Sequence, residues 1–248
     1  MVLPLRDDDS DRHTVPVVTY ALIAVNVLVW LIEMSIGEPF INGYSTVPYE
    51  ITNGTDLVGT QTIQAGGQSI PIQLYPGPTP IYLTLFSAMF MHASWAHIIG
   101  NMLYLWIFGD NIEDRVGHAK FLVFYLVCGL AASAAHIVFG PDSRIPSLGA
   151  SGAIAGVLAA YFVMYPTARI STLVFLGLFI TIVELPALIV IGMFILFQII
   201  EGVAELRLGG HSATQQIAYF AHLAGFAAGL LLLVFFRRTP AAGRARFG

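Results

Sequence analysis

Six apolar runs follow one another so closely along this chain that no segment is left over for a separate water-soluble domain. They are Val17–Ile36, Ile81–Gly109, Phe121–Gly140, Ser151–Pro166, Leu185–Gly202 and Ile217–Phe236, the fourth of them short. A helix needs about 20 apolar residues, at ~1.5 Å of rise each, to cross a hydrocarbon core of ~30 Å. Charged residues are 10% of the chain, where soluble domains carry roughly 25%. The expectation is an all-α membrane protein: a six-transmembrane-helix bundle over 17–238, with a polar N-terminal tail 1–16 and a basic C-terminal tail 239–248. The tail 1–16 is acidic and lacks the basic start and cleavage site of a secretory signal. A net charge of −4 gives no support for nucleic-acid binding, and the single cysteine, Cys128, excludes an intrachain disulfide.

Loop charges predict the orientation. With the N-terminus inside, inner segments hold nine of the eleven basic residues: Arg6, Arg12, Arg115, Lys120, Arg169, Arg237, Arg238, Arg244 and Arg246. Only Arg144 and Arg207 fall outside, a positive-inside bias that puts both termini in the cytoplasm of a multi-pass cell-membrane protein. The apolar stretch Ile170–Val183 is rich in β-branched residues and precedes Pro186, so it reads as an interfacial or re-entrant connector. As a seventh span it would carry the C-terminal arginines outside. The long outer loop 37–80 contains no basic residue; Thr60–Gln64 and Ser69–Leu74 flank Gly66-Gly67 with partial alternation, which predicts a β-hairpin.

Polar residues within such runs are costly and mark function by default. Counted from the inner helix ends, Ser151 and His222 each lie fifteen residues up and His97 thirteen, or ~22 and ~20 Å. Three residues on three runs therefore share one level, ~8–10 Å below the outer surface. Gly152 and Gly156 on the fourth run, and Gly225 and Gly229 on the sixth, form small-residue rows that let membrane helices approach closely. They would bring Ser151 within reach of His222. A lone serine in such a row is more often a packing residue, but here Asn101 shares a face with His97, and His92 lies on the same general side. The set looks like a nucleophile, a base and donors for an oxyanion. Zinc chemistry lacks support: there is no H-E-x-x-H and no carboxylate at this level, so no metal or other cofactor is expected. The missing acid also leaves a Ser–His dyad without an orienting carboxylate. His136 and Cys128 read as packing residues, and His118 and His211 as loop residues.

These residues resemble the rhomboid family of intramembrane serine proteases, in particular prokaryotic members with a long first outer loop. The similarity runs from about Pro80 to Gly229. It rests on His92-x4-His97-x3-Asn101, on Phe108-Gly109-Asp110-Asn111-Ile112-Glu113-Asp114-Arg115-Val116-Gly117, on Gly149-Ala150-Ser151-Gly152, and on Ala221-His222-x2-Gly225-x3-Gly229. The resemblance implies a rhomboid-like bundle whose short fourth helix is central and starts at the floor of a cavity open to the outer face. It implies Ser151 as nucleophile, His222 as general base, and Asn101 and His97 as oxyanion donors beside the Ser151 amide. His92 and Gly149 become supporting residues, and Glu113 a structural one. The implied partners are transmembrane-helix protein substrates and membrane lipid. The oligomeric state is left open. Two departures stand out: the position one turn after the nucleophile, aromatic in some relatives, is Ala155, and the first loop lacks the Trp-Arg pair of others. A non-catalytic rhomboid-like protein that binds membrane clients is the alternative, although such proteins usually lose the nucleophile or the base. A transporter would explain polar intramembrane residues but not the dyad, and no internal repeat supports it.

Overall fold

The computed structural model describes residues 2–7, 12–65, 68–176, 179–208 and 213–236. The first apolar run forms helix α1 (Val17–Ile36), which stops at Gly37, where φ is +78°. The segment beyond it carries α2 (Glu38–Tyr44) and α3 (Pro48–Asn53). The two runs flanking Gly66-Gly67 pair antiparallel as β2 (Gly59–Ala65) and β3 (Gln68–Leu74), with Ala65 opposite Gln68.

The second run is not one helix. It opens with 3₁₀ turns around the short α4 (Thr84–Ser87), and at Met91 the backbone is extended. Helix α5 then starts at Trp95 and continues to Val116, seven residues past the expected end at Gly109. Ser94 makes the new start, its hydroxyl accepting from the His97 amide at 3.2 Å. Apolar composition carries no mark of such a break, so the run read as continuous.

Helices α6 (His118–Phe139), α7 (Ser151–Met164), α8 (Ala187–Leu208) and α9 (Ala213–Phe236) follow. Among the described residues, α1 and α6 are the two helices long and apolar enough to cross a membrane. Helix α7 is buried continuously from Gly152 to Tyr161, as a helix apolar on every face must be. It packs against α5, α6, α8 and α9. Apolar side chains such as Leu28 and Leu31 on α1, Leu196 and Phe197 on α8, and Leu231 and Val234 on α9 face outward. An exposed apolar surface of this kind fits a lipid surrounding.

The chain is mostly helical rather than all-α. The stretch read as an interfacial or re-entrant connector is a hairpin of β4 (Arg169–Leu176) and β5 (Phe179–Pro186). Its β-branched residues, among them Ile170, Thr172, Val174, Ile180, Ile182 and Val183, suit a pleated surface better than a helix. A third strand comes from the other end of the chain: β1 (Val2–Arg6) pairs antiparallel with β4. Asp7 follows it into the bundle, where its Oδ2 accepts from Asn111 Nδ2 at 2.6 Å and from the Tyr161 hydroxyl at 2.7 Å. Residues 2–7 are thus part of the fold, not a free tail. The expected tail 239–248 and His211 lie outside the described residues.

Glu113 ties the end of α5 to the start of α1. Fully buried, it accepts from the Val18 amide at 2.9 Å, the Thr19 amide at 2.7 Å and the Thr19 hydroxyl at 2.7 Å. These amides belong to the first turn of α1 and have no acceptor inside their own helix, and an anion is favoured at that end of the helix dipole. His118, read as a loop residue, starts α6 and places Nδ1 against Glu113 Oε1.

Candidate active site

Ser151 is the first residue of α7, and His222 lies within α9. The His222 Nε2–Ser151 Oγ separation is 2.7 Å. Glycines make that distance attainable. A Cβ on Gly225 would sit 2.1 Å from the Gly152 carbonyl oxygen, and one on Gly229 would sit 2.5 Å from that of Gly156. On the other side of α7, a Cβ on Gly156 would fall 2.4 Å from Cys128 Sγ, and one on Gly152 2.4 Å from the Ala132 Cβ. The four glycines and the fully buried Cys128 therefore set how closely α6, α7 and α9 pack.

The approach to Ser151 is held in a conformation few residues adopt. Gly149 has a φ of +138°, and its amide donates to the Ala88 carbonyl at 2.8 Å. A Cβ here would lie 2.9 Å from His97 Cε1, 3.0 Å from His97 Nε2 and 3.6 Å from Ser151 Oγ. The space kept open by this glycine is bordered by the serine and by one edge of His97. The tautomer of that ring follows from its other side, where Nδ1 accepts from the Ala93 amide at 3.3 Å. An amide only donates, so the neutral ring carries its proton on Nε2, facing the open space. Asn101 lies one turn further along α5, is only 8% exposed, and its Nδ2 has no hydrogen-bond partner among the described residues. A buried donor left unbonded costs ~1–3 kcal/mol and calls for an explanation. The Ser151 amide, at the head of α7, has no acceptor within its own helix.

His92 precedes α5 rather than lying on it. It is fully buried, edge-on to His97 with ring centroids 5.0 Å apart. Its amide donates to both carboxylate oxygens of Glu33, each at 3.1 Å, at the far end of α1. Glu33 was not singled out in the sequence; a buried carboxylate near the end of an apolar run was the available signal.

One other residue, Gln198 on α8, escaped sequence reading, whereas Phe194, with Phe197 and Trp95, reads in the sequence as a candidate lining of a side entrance. Gln198 Oε1 lies 2.6 Å from His222 Nδ1, and the Phe194 ring centroid lies 6.3 Å from that of His222. Because Oε1 can only accept, Nδ1 carries the ring proton, and Nε2 presents its lone pair to the Ser151 hydroxyl. His136, read as packing, lines a cavity of about 70 Å³ with Thr46, Ser133, Ser147, Ser151 and His222. A polar cavity of that size accommodates water. Phe197 and Trp95 point outward, each more than half exposed.

The segment between α1 and α4 braces this region. Thr46 and Ser147 form a β-bridge, the Tyr49 amide donates to the Ser143 carbonyl at 3.0 Å, and the Arg144 guanidinium lies 4.9 Å over the Tyr49 ring. Behind Tyr49, burial pushes the Glu50 carboxyl up to about 7, against the lowering effect of the Leu57 amide that donates to it at 2.9 Å; nearby Asp56 raises it further.

Chemically, the arrangement offers a hydroxyl hydrogen-bonded to an imidazole, beside an open space bordered by an edge of His97: parts that nucleophilic attack on a carbonyl requires. This polar site within an apolar helical bundle agrees with the sequence comparison. Residues 80–239, well over half of the chain, match the rhomboid domain, and the chain belongs to the rhomboid family. It is 34% identical over 146 residues to the rhomboid protease GluP of Bacillus subtilis, covering 58% of this chain and 24% of that protein. It is 29% identical over 170 residues to the chloroplastic rhomboid-like protein 11 of Arabidopsis thaliana (66% and 55%), and 33% over 97 residues to the mitochondrial rhomboid protein 1 of Saccharomyces cerevisiae (38% and 28%). The chain thus spans about half or less of the length of these relatives.

Proposed function

We propose that this protein is an intramembrane serine endopeptidase that cleaves transmembrane segments of membrane proteins with a Ser151–His222 dyad. The observation that carries the reading is the 2.7 Å contact between Ser151 Oγ and His222 Nε2; the buried Asn101 Nδ2, without a hydrogen-bond partner among the described residues, supports it. A helical packing role explains neither.

In this reading α1, α5, α6, α7, α8 and α9 form a six-span bundle with α7 at its centre. The end bearing Ser151 opens to the outer face, and the sheet of β1, β4 and β5 lies on the cytoplasmic side. The distribution of basic residues supports that orientation. A substrate helix enters from lipid between α5 and α8 and unwinds locally, at lower cost where it carries small or helix-breaking residues. His222 Nε2 takes the Ser151 proton as Oγ bonds to the substrate carbonyl carbon. The negative charge that develops on the carbonyl oxygen is met by Asn101 Nδ2, His97 Nε2 and the Ser151 amide, with the positive end of α7 behind them. The C–N bond then breaks, and the leaving amine receives the proton from His222. Water next gives a proton to His222 and its oxygen to the acyl carbon, and Ser151 leaves with that proton.

The test compares the purified full chain with Ser151→Ala in liposomes holding a panel of single-span substrates. Cleavage by the native chain and none by the variant is expected, with a fluorophosphonate probe labelling only the former. Equal cleavage by both, or labelling of neither, would overturn the assignment.

A further inference from the structure

We infer that Gln198 is a positioning residue for His222, so that the site is a Ser151–His222–Gln198 triad with its third member supplied by α8; this rests on the protease reading above. Gln198 is the one side chain with a hydrogen-bonding group between Ala187 and Ile200, in a helix whose neighbours Phe197, Ile199 and Ile200 are exposed apolar residues. A side-chain amide beside hydrocarbon is costly unless bonded. This one is bonded to the single atom whose protonation decides whether His222 can act as a base, Nδ1, at 2.6 Å. Were the proton on Nε2 instead, that nitrogen would donate to Ser151 and could not accept its hydrogen.

Among the described residues no other side chain bonds to His222 Nδ1. Among the described residues, the titratable groups facing His222 are His97 from α5 and His136 from α6, neither of them an acid. Phe194 and Gln198 are four residues apart and share one face of α8. That face supplies both an aromatic flank and the hydrogen bond. A carboxylate at this place would hold the same tautomer, but it would also favour the protonated imidazolium. An amide orients the ring without that charge.

The experiment uses the full chain in liposomes with one single-span substrate and three variants: Gln198→Met, Gln198→Glu and Ser151→Ala. Gln198→Met should lower kcat about 10- to 100-fold, part of the 10²–10⁴ a general base contributes, with KM within about twofold. Gln198→Glu should restore most of kcat and move the acidic limb of the pH–kcat profile to higher pH, because the new charge favours imidazolium. In ¹⁵N-histidine spectra His222 should carry its proton on Nδ1 in the native chain and lose that preference in Gln198→Met, a readout independent of turnover. Native kcat in Gln198→Met, a loss confined to KM, or an acidic limb unmoved by Gln198→Glu would each overturn the proposal. If Gln198→Met does not fold, the Gln198→Glu profile and the native spectrum still decide. Cleavage that persists in Ser151→Ala would instead overturn the protease reading, whatever Gln198 does.

Discussion

Packing alone does not explain Asn101, since burial of Nδ2 without a partner among the described residues weakens a fold. In the protease reading that amide receives its partner only when charge develops on the substrate oxygen. Asn101→Ala should therefore lower kcat about 10²–10³-fold, equivalent to roughly 2.7–4 kcal/mol, with little change in KM. Steady-state kinetics on a single-span substrate would show it; a variant that raised KM alone would point to ground-state binding instead. Ser151, His222 and His97 were legible in the sequence because each is a polar group at one depth in an apolar run, and Asn101 because it shares a face with His97. Gln198 obeys the same rule and was passed over. Counted from Leu185, the inner end of its run, it lies thirteen residues up, as His97 does in its own, so the signal was present and unused. Nothing local to Asp7 announced burial either, because its partners Asn111 and Tyr161 lie more than a hundred residues away.

At the level of helices, the contact between α7 and α9 rests on backbone meeting backbone. Gly225→Ala would drive a Cβ to 2.1 Å from the Gly152 carbonyl oxygen, and neither helix has a side chain to yield. We expect a loss of about 1–3 kcal/mol, the usual range for overpacking, together with separation of Ser151 from His222 and loss of probe labelling. Gly100→Ala is the matching control: nothing lies within 4 Å of its added methyl, and alanine is favoured over glycine inside a helix by roughly 0.5–1 kcal/mol. Thermal unfolding in detergent should move in opposite directions for the two. These glycine rows were visible as spacing, as were the runs that became α1, α6 and α7. The break before α5 was not, because it turns on one capping serine among apolar neighbours. The hairpin of β4 and β5 was not either: its apolar residues fit several structures, and its strand character is completed by β1 from the far end of the chain.

For the molecule as a whole, the segment between α1 and α4 and the loop before Ser151 are fastened together through Thr46, Tyr49 and Arg144, so the stability of one is felt by the other. Glu50 makes that stability depend on pH. Its carboxyl is pushed up to about 7 in the fold from a model-peptide value of 4.5, so between those limits the folded segment holds a proton the unfolded one has lost. Its contribution is complete below about 4.5 and disappears as pH rises through about 7. Proteolysis of residues 48–57 should accordingly be faster at pH 8 than at pH 5, and Glu50→Gln should flatten the difference; an unchanged pH dependence in that variant would exclude Glu50 as its source. A different kind of constraint comes from β1. Val2 pairs with Val174, 172 residues later. At roughly 5–20 residues per second of synthesis, its partner strand is made some 10–30 s after it. Through that interval the first strand of the chain waits alone, and Asp7 stays in water. β1 is thus made long before the strand it pairs with, and until the two meet β4 keeps an open edge that any passing strand can fill.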